Sequence, residues 1–388
     1  MKIIFKRTAV SNAVAPLMCA VSGKSTLTAL DGILINASFP DVCTLTTFDN
    51  EKGLRITINA TVLEEGSFII NAQKFNQTLR VMGGDEVTLT VDSKMVATIS
   101  SGKSSHKMSA LAGADFPTIP DLESNRSFII GQKVLKKMLS QVSFAMGNND
   151  HQRNILNGAF LKIDDDSITA VACDSFKLAK CRTRTQLTNK NTNGKDYLDY
   201  AFIVPSKTVN EIVRLLDDDD EAVTQIYVTR KHIVCIIGEI TFFSRLVDGE
   251  YIDYNRIIVT NHTIKSDMNR EELLGALERA ALITEEKVAG NVRAHVKLDF
   301  YGDVLKISAI SAIGSTYDEV EIDHPGNDIA IAFNNRFLID STRACTADRV
   351  TLELTSPLNS MNIIPIDNDY EKNGFEELFM LLPVRTKE

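Results

Sequence analysis

The chain has 388 residues, with 42 Lys and Arg against 51 Asp and Glu and a formal net charge of −9. A single core seldom grows past roughly 250–300 residues, so two or three domains are expected. The 44% hydrophobic content contains no apolar run that approaches the roughly 20 residues a bilayer span needs, and the acidic balance excludes a protein that coats nucleic acid by bulk attraction. Cations gathered on one inward face remain compatible with that balance. The amino-terminal stretch MKIIFKRTAV has no signal-peptide core, and the six cysteines are scattered with no Cys-x-x-Cys pair. Free thiols and a cytoplasmic location are expected.

In chain order, Ile3–Phe5 reads as a strand and Thr8–Val21 as a helix, with no Asp or Glu between Lys6 and Lys24. Strands follow around Gly32–Ala37, Val42–Thr47 and Gly53–Thr61. Phe68–Ile70 is then a strand, Gln73–Met82 a helix carrying Lys74 and Arg80 but no acid, and Val87–Val91 a strand. The same grammar returns at Ser127. After the strand Phe128–Ile130, a helix begins at Gln132 or Lys133, with Val134, Leu135, Met138, Leu139, Val142 and Ala145 on one apolar stripe. Its other face, Lys133, Lys136, Lys137, Ser140 and Gln141, is free of acids. The unit recurs at Ala201, where Val209, Ile212, Val213 and Leu216 form the stripe, then near Asn261 and at Asp328.

Six such units, two in each third of the chain, imply three copies of one domain: 1–125, 126–258 and 259–388. Two helices with alternating strands make each copy α+β, its helices on one face of antiparallel sheet. One cationic helix is an ordinary solvated face. Six related helices, several with acid-free polar faces, suit a concave surface that faces phosphate.

Catalytic grammar is sparse. Gly23-Lys24-Ser25-Thr26 resembles the tail of a phosphate-binding loop, but the first glycine of that pattern is Met18 and a helix precedes it where a strand should. Asp164–Asp166 and Asp217–Asp220 lack calcium-loop spacing and read as acidic turns. The six histidines are isolated, with no zinc spacing, and no nucleophile elbow or dinucleotide loop is present. No catalytic residue, metal or cofactor is expected. The chain reads as a binding device.

Longer motifs carry a resemblance. LNGAF (Leu156–Phe160) with ITAVACDSFKLA (Ile168–Ala179), FFSRLVDGEYIDYNRII (Phe242–Ile258), GADFPTIP (Gly113–Pro120), VPSKTVNEIVRLL (Val204–Leu216) and LLPVR (Leu381–Arg385) resemble, in order, the signature segments of the bacterial DNA polymerase III beta subunit family, the sliding clamps. The resemblance implies three clamp domains per chain and a head-to-tail homodimer. That dimer closes a six-domain ring around duplex DNA, with helices lining the hole and sheets outside. It implies a non-enzymatic processivity factor whose partners are double-stranded DNA, bound without sequence specificity, the polymerase III alpha subunit, the clamp loader and other clamp-motif proteins. The alternative is a clamp-like adaptor that binds partners without stable ring closure.

By matching positions, the DNA-lining residues are Lys24, Arg80, Lys136, Lys137, Asn149 and Lys207. The partner-peptide pocket takes Cys173, Ser175, Phe176, Lys177 and Leu178 from one loop, with Arg153 and Leu156 beside it. Ile252, Arg256 and Ile257 come from a connector. Asn334, Phe337, Leu358, Ser360, Leu382, Pro383, Val384 and Arg385 come from the last third. The family's usual His-Arg in the pocket loop is Phe176-Lys177 here, which enlarges the apolar surface and removes a guanidinium fork that lysine cannot replace geometrically. An altered peptide preference is expected. At the dimer seam, His106 and Met108 would face Leu282 and Ile283 of a second chain, and His106 makes the strength and pH dependence of closure open questions.

Overall fold

The computed structural model describes residues 1–23, 25–147, 152–284 and 295–385. Its helices are α1 (Arg7–Leu17), α2 (Ala72–Val81), α3 (Gln132–Ser143), α4 (Ser206–Leu215), α5 (Tyr254–Ile257), α6 (Arg270–Thr284), α7 (Asn335–Ala344) and α8 (Tyr370–Asn373). Six of them, α1–α4, α6 and α7, are the repeated helices expected from sequence. α1 stops short of Val21: Pro16 has no N–H to donate, and a 3-10 turn, Met18–Ala20, finishes the segment.

Each third of the chain follows one order. Four strands lead it: Lys2–Lys6, Gly32–Ser38, Val42–Phe48 and Lys52–Asn59 in the first; Ser127–Gly131, Gly158–Asp164, Ser167–Cys173 and Lys177–Arg184 in the second; Ile264–Asn269, Val296–Tyr301, Val304–Ser311 and Gly314–Asp323 in the third. The last strands are Ser104–Ala112, Ile240–Arg245 and Phe375–Leu381. All pairings between named strands are antiparallel, and every β-hairpin returns its chain through a short turn.

By contact density the chain divides into two units that cut across the sequence repeat. The first holds Met1–Gln132, Thr188–Asp196 and Arg214–Leu246; the second holds Lys133–Leu187, Tyr197–Val213 and Val247–Glu388. The cause is a backbone ladder. In the first unit the last strand of the second repeat pairs with the fourth strand of the first, Phe243 opposite Gly53 and Thr241 opposite Arg55. In the second unit the last strand of the third repeat pairs with the fourth strand of the second, Leu178 opposite Met380 and Lys180 opposite Leu378. Main-chain hydrogen bonds therefore run across both repeat boundaries, and each unit is one extended sheet.

Gly53 is required by this pairing, because a Cβ there would collide with the ring of Phe243. That ring packs 5.8 Å from Phe48 in the first unit's core with Leu30 and Val234. In the second unit Phe300, Phe333 and Phe379 are fully buried. Asn335 holds α7 to α6, its Nδ2 donating to Leu277 O at 2.9 Å and to Thr284 Oγ1 at 3.1 Å.

Candidate functional site

The loop between strands Ser167–Cys173 and Lys177–Arg184 is shaped by Asp174. Its carboxylate accepts from the backbone N–H of Phe176 and of Lys177, both at 3.0 Å, and Ser175 takes a left-handed φ of 79°. This side-chain cap turns the chain sharply. Phe176 is pushed out, 61% exposed, and Lys177 is folded in, 7% exposed. The Lys177 ammonium pairs with Asp174 and lies 4.3 Å from the centre of the Phe337 ring. Lys177 therefore offers no free cation at the surface of the groove. Arg153 Nη1 donates to Ser175 Oγ at 3.0 Å and stands beside the loop.

The carboxy-terminal segment is laid against this loop by backbone bonds. Leu382 N donates to Phe176 O at 2.9 Å, and Val384 N donates to Ala332 O at 2.8 Å. Leu382 and Val384 remain partly exposed, and Leu358 is 76% exposed on the turn that Ser356 and Asn359 close. Ser360 is buried next to Met361, which pairs with Leu381. Beneath lie Leu156, Cys173 and Leu178, one buried cluster with Val171, Leu378 and Met380, against which Ile252, Tyr254 and Ile258 pack. Burial pushes the Cys173 thiol above its usual range. Phe160 stacks on Tyr251 at 5.1 Å and ties the connector to this floor.

The predicted pocket residues thus separate by role. Leu156, Cys173 and Leu178 are floor; Phe176, Leu358, Leu382 and Val384 are an apolar rim. Asn334 is spent on capping α7, its Oδ1 accepting from Arg336 N at 3.0 Å. Ile257 is 42% exposed on α5, and the neighbouring Arg256 turns to Asp253 at 3.0 Å. Pro383 is half-buried and Arg385 exposed at the end of the described chain.

Of the predicted lining residues, Lys24 and Asn149 lie outside the described residues. Arg80 is exposed near the end of α2, and Lys207 is exposed in the first turn of α4. Lys136 is half-buried on α3. Lys137, about half exposed, has Nζ 3.8 Å from Glu377 Oε1. No Asp or Glu occurs in α1, α2 or α3. Elsewhere acids are answered by neighbours: Asp340 by Arg336 at 3.2 Å, Glu278 by Arg343 at 2.7 Å.

Gln141, read from sequence as part of the solvated face of α3, is instead 5% exposed. Its Nε2 donates to Glu377 Oε1 at 2.7 Å. Glu377, 2% exposed, also accepts from Thr346 N at 3.0 Å and Thr346 Oγ1 at 2.6 Å. Sequence reasoning missed this carboxylate. It sits in the strand FEELFML, where no local pattern marks one of two adjacent glutamates as buried.

His106 is exposed and Met108 half-buried on strand Ser104–Ala112. Both wall a cleft of about 640 Å3 with Lys74, Gln77 and Val81 of α2. In the other unit, Leu282 is 76% exposed and Ile283 half-buried at the end of α6.

Family models of the DNA polymerase III beta subunit match in order: its N-terminal domain at residues 1–120, its central domain at 129–253 and its C-terminal domain at 255–377. The beta sliding clamp of Staphylococcus epidermidis is 28% identical over the full length of both chains. A solved Pseudomonas aeruginosa sliding clamp, DNA polymerase III subunit beta with griselimycin bound, aligns over all of both chains at 25% identity with a TM-score of 0.87. The Bacillus subtilis DNA polymerase sliding clamp, 23% identical over all of both chains, shares the fold at a TM-score of 0.90.

Proposed function

Since the chain belongs to the DNA polymerase III beta subunit family, we propose that it is a DNA sliding clamp, a non-catalytic ring that encloses duplex DNA and tethers a polymerase to it. The observation that carries this reading is the succession of three family domains, 1–125, 126–258 and 259–388 in our division, over essentially the whole chain. A clamp works by enclosure. Its inner contacts need only be cationic and phosphate-directed, since phosphate contacts hold position without reading sequence. Arg80, Lys136, Lys137 and Lys207, together with Lys24 and Asn149, are the lining residues in this reading. Acid-free α2 and α3 support it, and the chain's acidic remainder keeps the attraction modest.

Ring closure follows from the strand order. Both joints within the chain pair the last strand of one repeat with the fourth strand of the one before. The strands left over are the last of the first repeat, Ser104–Ala112, and the fourth of the third, Gly314–Asp323. Among the described residues, 104–109 and 314–321 are paired along one edge only. An open strand edge is a template for another chain. Two copies placed head to tail would satisfy both edges twice, with His106 and Met108 meeting Leu282 and Ile283. The rim of Phe176, Leu358, Leu382 and Val384 over an apolar floor is the docking groove for linear peptides of the polymerase alpha subunit, the clamp loader and other clamp-motif proteins.

Two measurements test this. Sedimentation equilibrium should give about 86 kDa, twice the 42.9 kDa chain. Protein loaded on a nicked circular plasmid should be retained at high salt and released when the circle is cut. A stable monomer, or identical retention on linear DNA, would move the adaptor reading to the front.

A further inference from the structure

A second cleft, of about 600 Å3, lies in the first unit, where the connector between the first two repeats crosses the joined sheet. Ile119, Pro120 and Leu122 of the connector form one wall and Tyr227, Val234 and Ile236 of the sheet the other. Arg55 and Thr241, directly paired across the joint, stand at its polar side. Its volume falls within the range of ligand pockets, about 300–1,000 Å3.

Arg55 is half-buried, and among the described residues no hydrogen bond or ion pair holds its guanidinium. An unanswered cation against apolar walls is unusual, because partial burial costs hydration that a partner normally repays. The chain contains its own comparison. Arg55 lies two residues after Gly53, which pairs with Phe48 across its hairpin; Lys180 lies two residues after Leu178, which pairs with Cys173 across the equivalent hairpin. At the second joint Lys180 is met by Glu376 from the adjoining strand at 2.7 Å. The adjoining strand at the first joint, ITFFSR, supplies no acid. The same register position thus carries a neutralised cation at one joint and an open one at the other.

We propose that this cleft binds a short linear segment of a partner protein that presents a carboxylate beside two bulky aliphatic side chains. The carboxylate takes the Arg55 fork, whose planar pair of donors matches it bidentately. The aliphatic groups fill the space between the connector and Val234 and Ile236. The site is separate from the Phe176 groove, which lies in the other unit, and rests on neither ring closure nor DNA binding.

The test uses the full chain and two capped tripeptides, Ile-Ile-Asp and Ile-Ile-Asn, titrated by calorimetry. The Asp peptide should bind one per chain and about tenfold or more tighter than the Asn peptide, since a hydrogen bond to a charged group is worth roughly that ratio. Arg55→Gln should weaken the Asp peptide at least tenfold, and Phe176→Ala should leave it unchanged. Thr241→Glu, which installs the missing acid beside Arg55, should abolish binding while the thermal midpoint is held or raised, so that loss of site and loss of fold are separated. Equal binding of the two peptides, sensitivity to Phe176→Ala rather than Arg55→Gln, or no saturation at millimolar peptide would overturn the proposal.

Discussion

Lys177 and Phe337 face each other across the repeat boundary in the second unit, the ammonium 4.3 Å from the ring centre and closed on its far side by Asp174. The lysine therefore works inside the fold, and the adjacent Phe176 is the side chain left for a ligand. Phe176→Ala should lower affinity for clamp-motif peptides about tenfold or more, by loss of an aromatic anchor, and leave the urea midpoint unchanged. Lys177→Ala should do the reverse in kind, costing about 1–3 kcal/mol of stability because Asp174 loses its buried partner. Fluorescence-anisotropy titrations beside urea melts separate the two.

Glu377 is the acceptor that binds α3 to the third repeat, through Gln141, Thr346 and Lys137. Glu377→Ala strips partners from several buried donors and should cost about 3 kcal/mol or more. Lys137→Gln, at a half-exposed position, should cost well under 1 kcal/mol but reduce the salt dependence of DNA binding by close to one phosphate contact.

The thiols should differ sharply in reactivity. Burial pushes Cys43, Cys235 and Cys345 up to about 12, whereas Cys19 alone among the six is not fully buried. The thiolate is the reactive form. Alkylation of native protein at pH 8, followed by mass spectrometry, should label Cys19 first and Cys43 and Cys235 only after unfolding.

His232 lies opposite Arg245 on the neighbouring strand, and desolvation, then Arg245 and Lys231, holds its pKa below the usual value. Protonation is thus harder in the folded chain than in the unfolded one. The sign follows: stability is unaffected above roughly pH 6.5 and declines as pH falls from there towards the depressed folded value. Chemical melts of His232→Gln and the wild-type chain should run parallel above pH 6.5 and diverge below it, with the variant the more stable.

What the sequence by itself determined was local and periodic. The apolar stripe of α3, the strand before each helix and the threefold recurrence follow from side-chain spacing, which a helix or strand reads out directly. The floor residues Leu156, Cys173 and Leu178 were legible because motifs of that length carry their neighbours with them. Tertiary structure alone decided the rest. Gln141 looks solvated on a helical wheel, but is buried because Glu377, more than two hundred residues later, comes to meet it. Lys177 turns inward because Asp174 caps its loop and Phe337 receives it. The two units cut across three repeats because strands Lys52–Asn59 and Lys177–Arg184 bond to strands far along the chain. Contacts between distant segments leave no period in the sequence, since each partner satisfies only its own local pattern until the fold brings the two together.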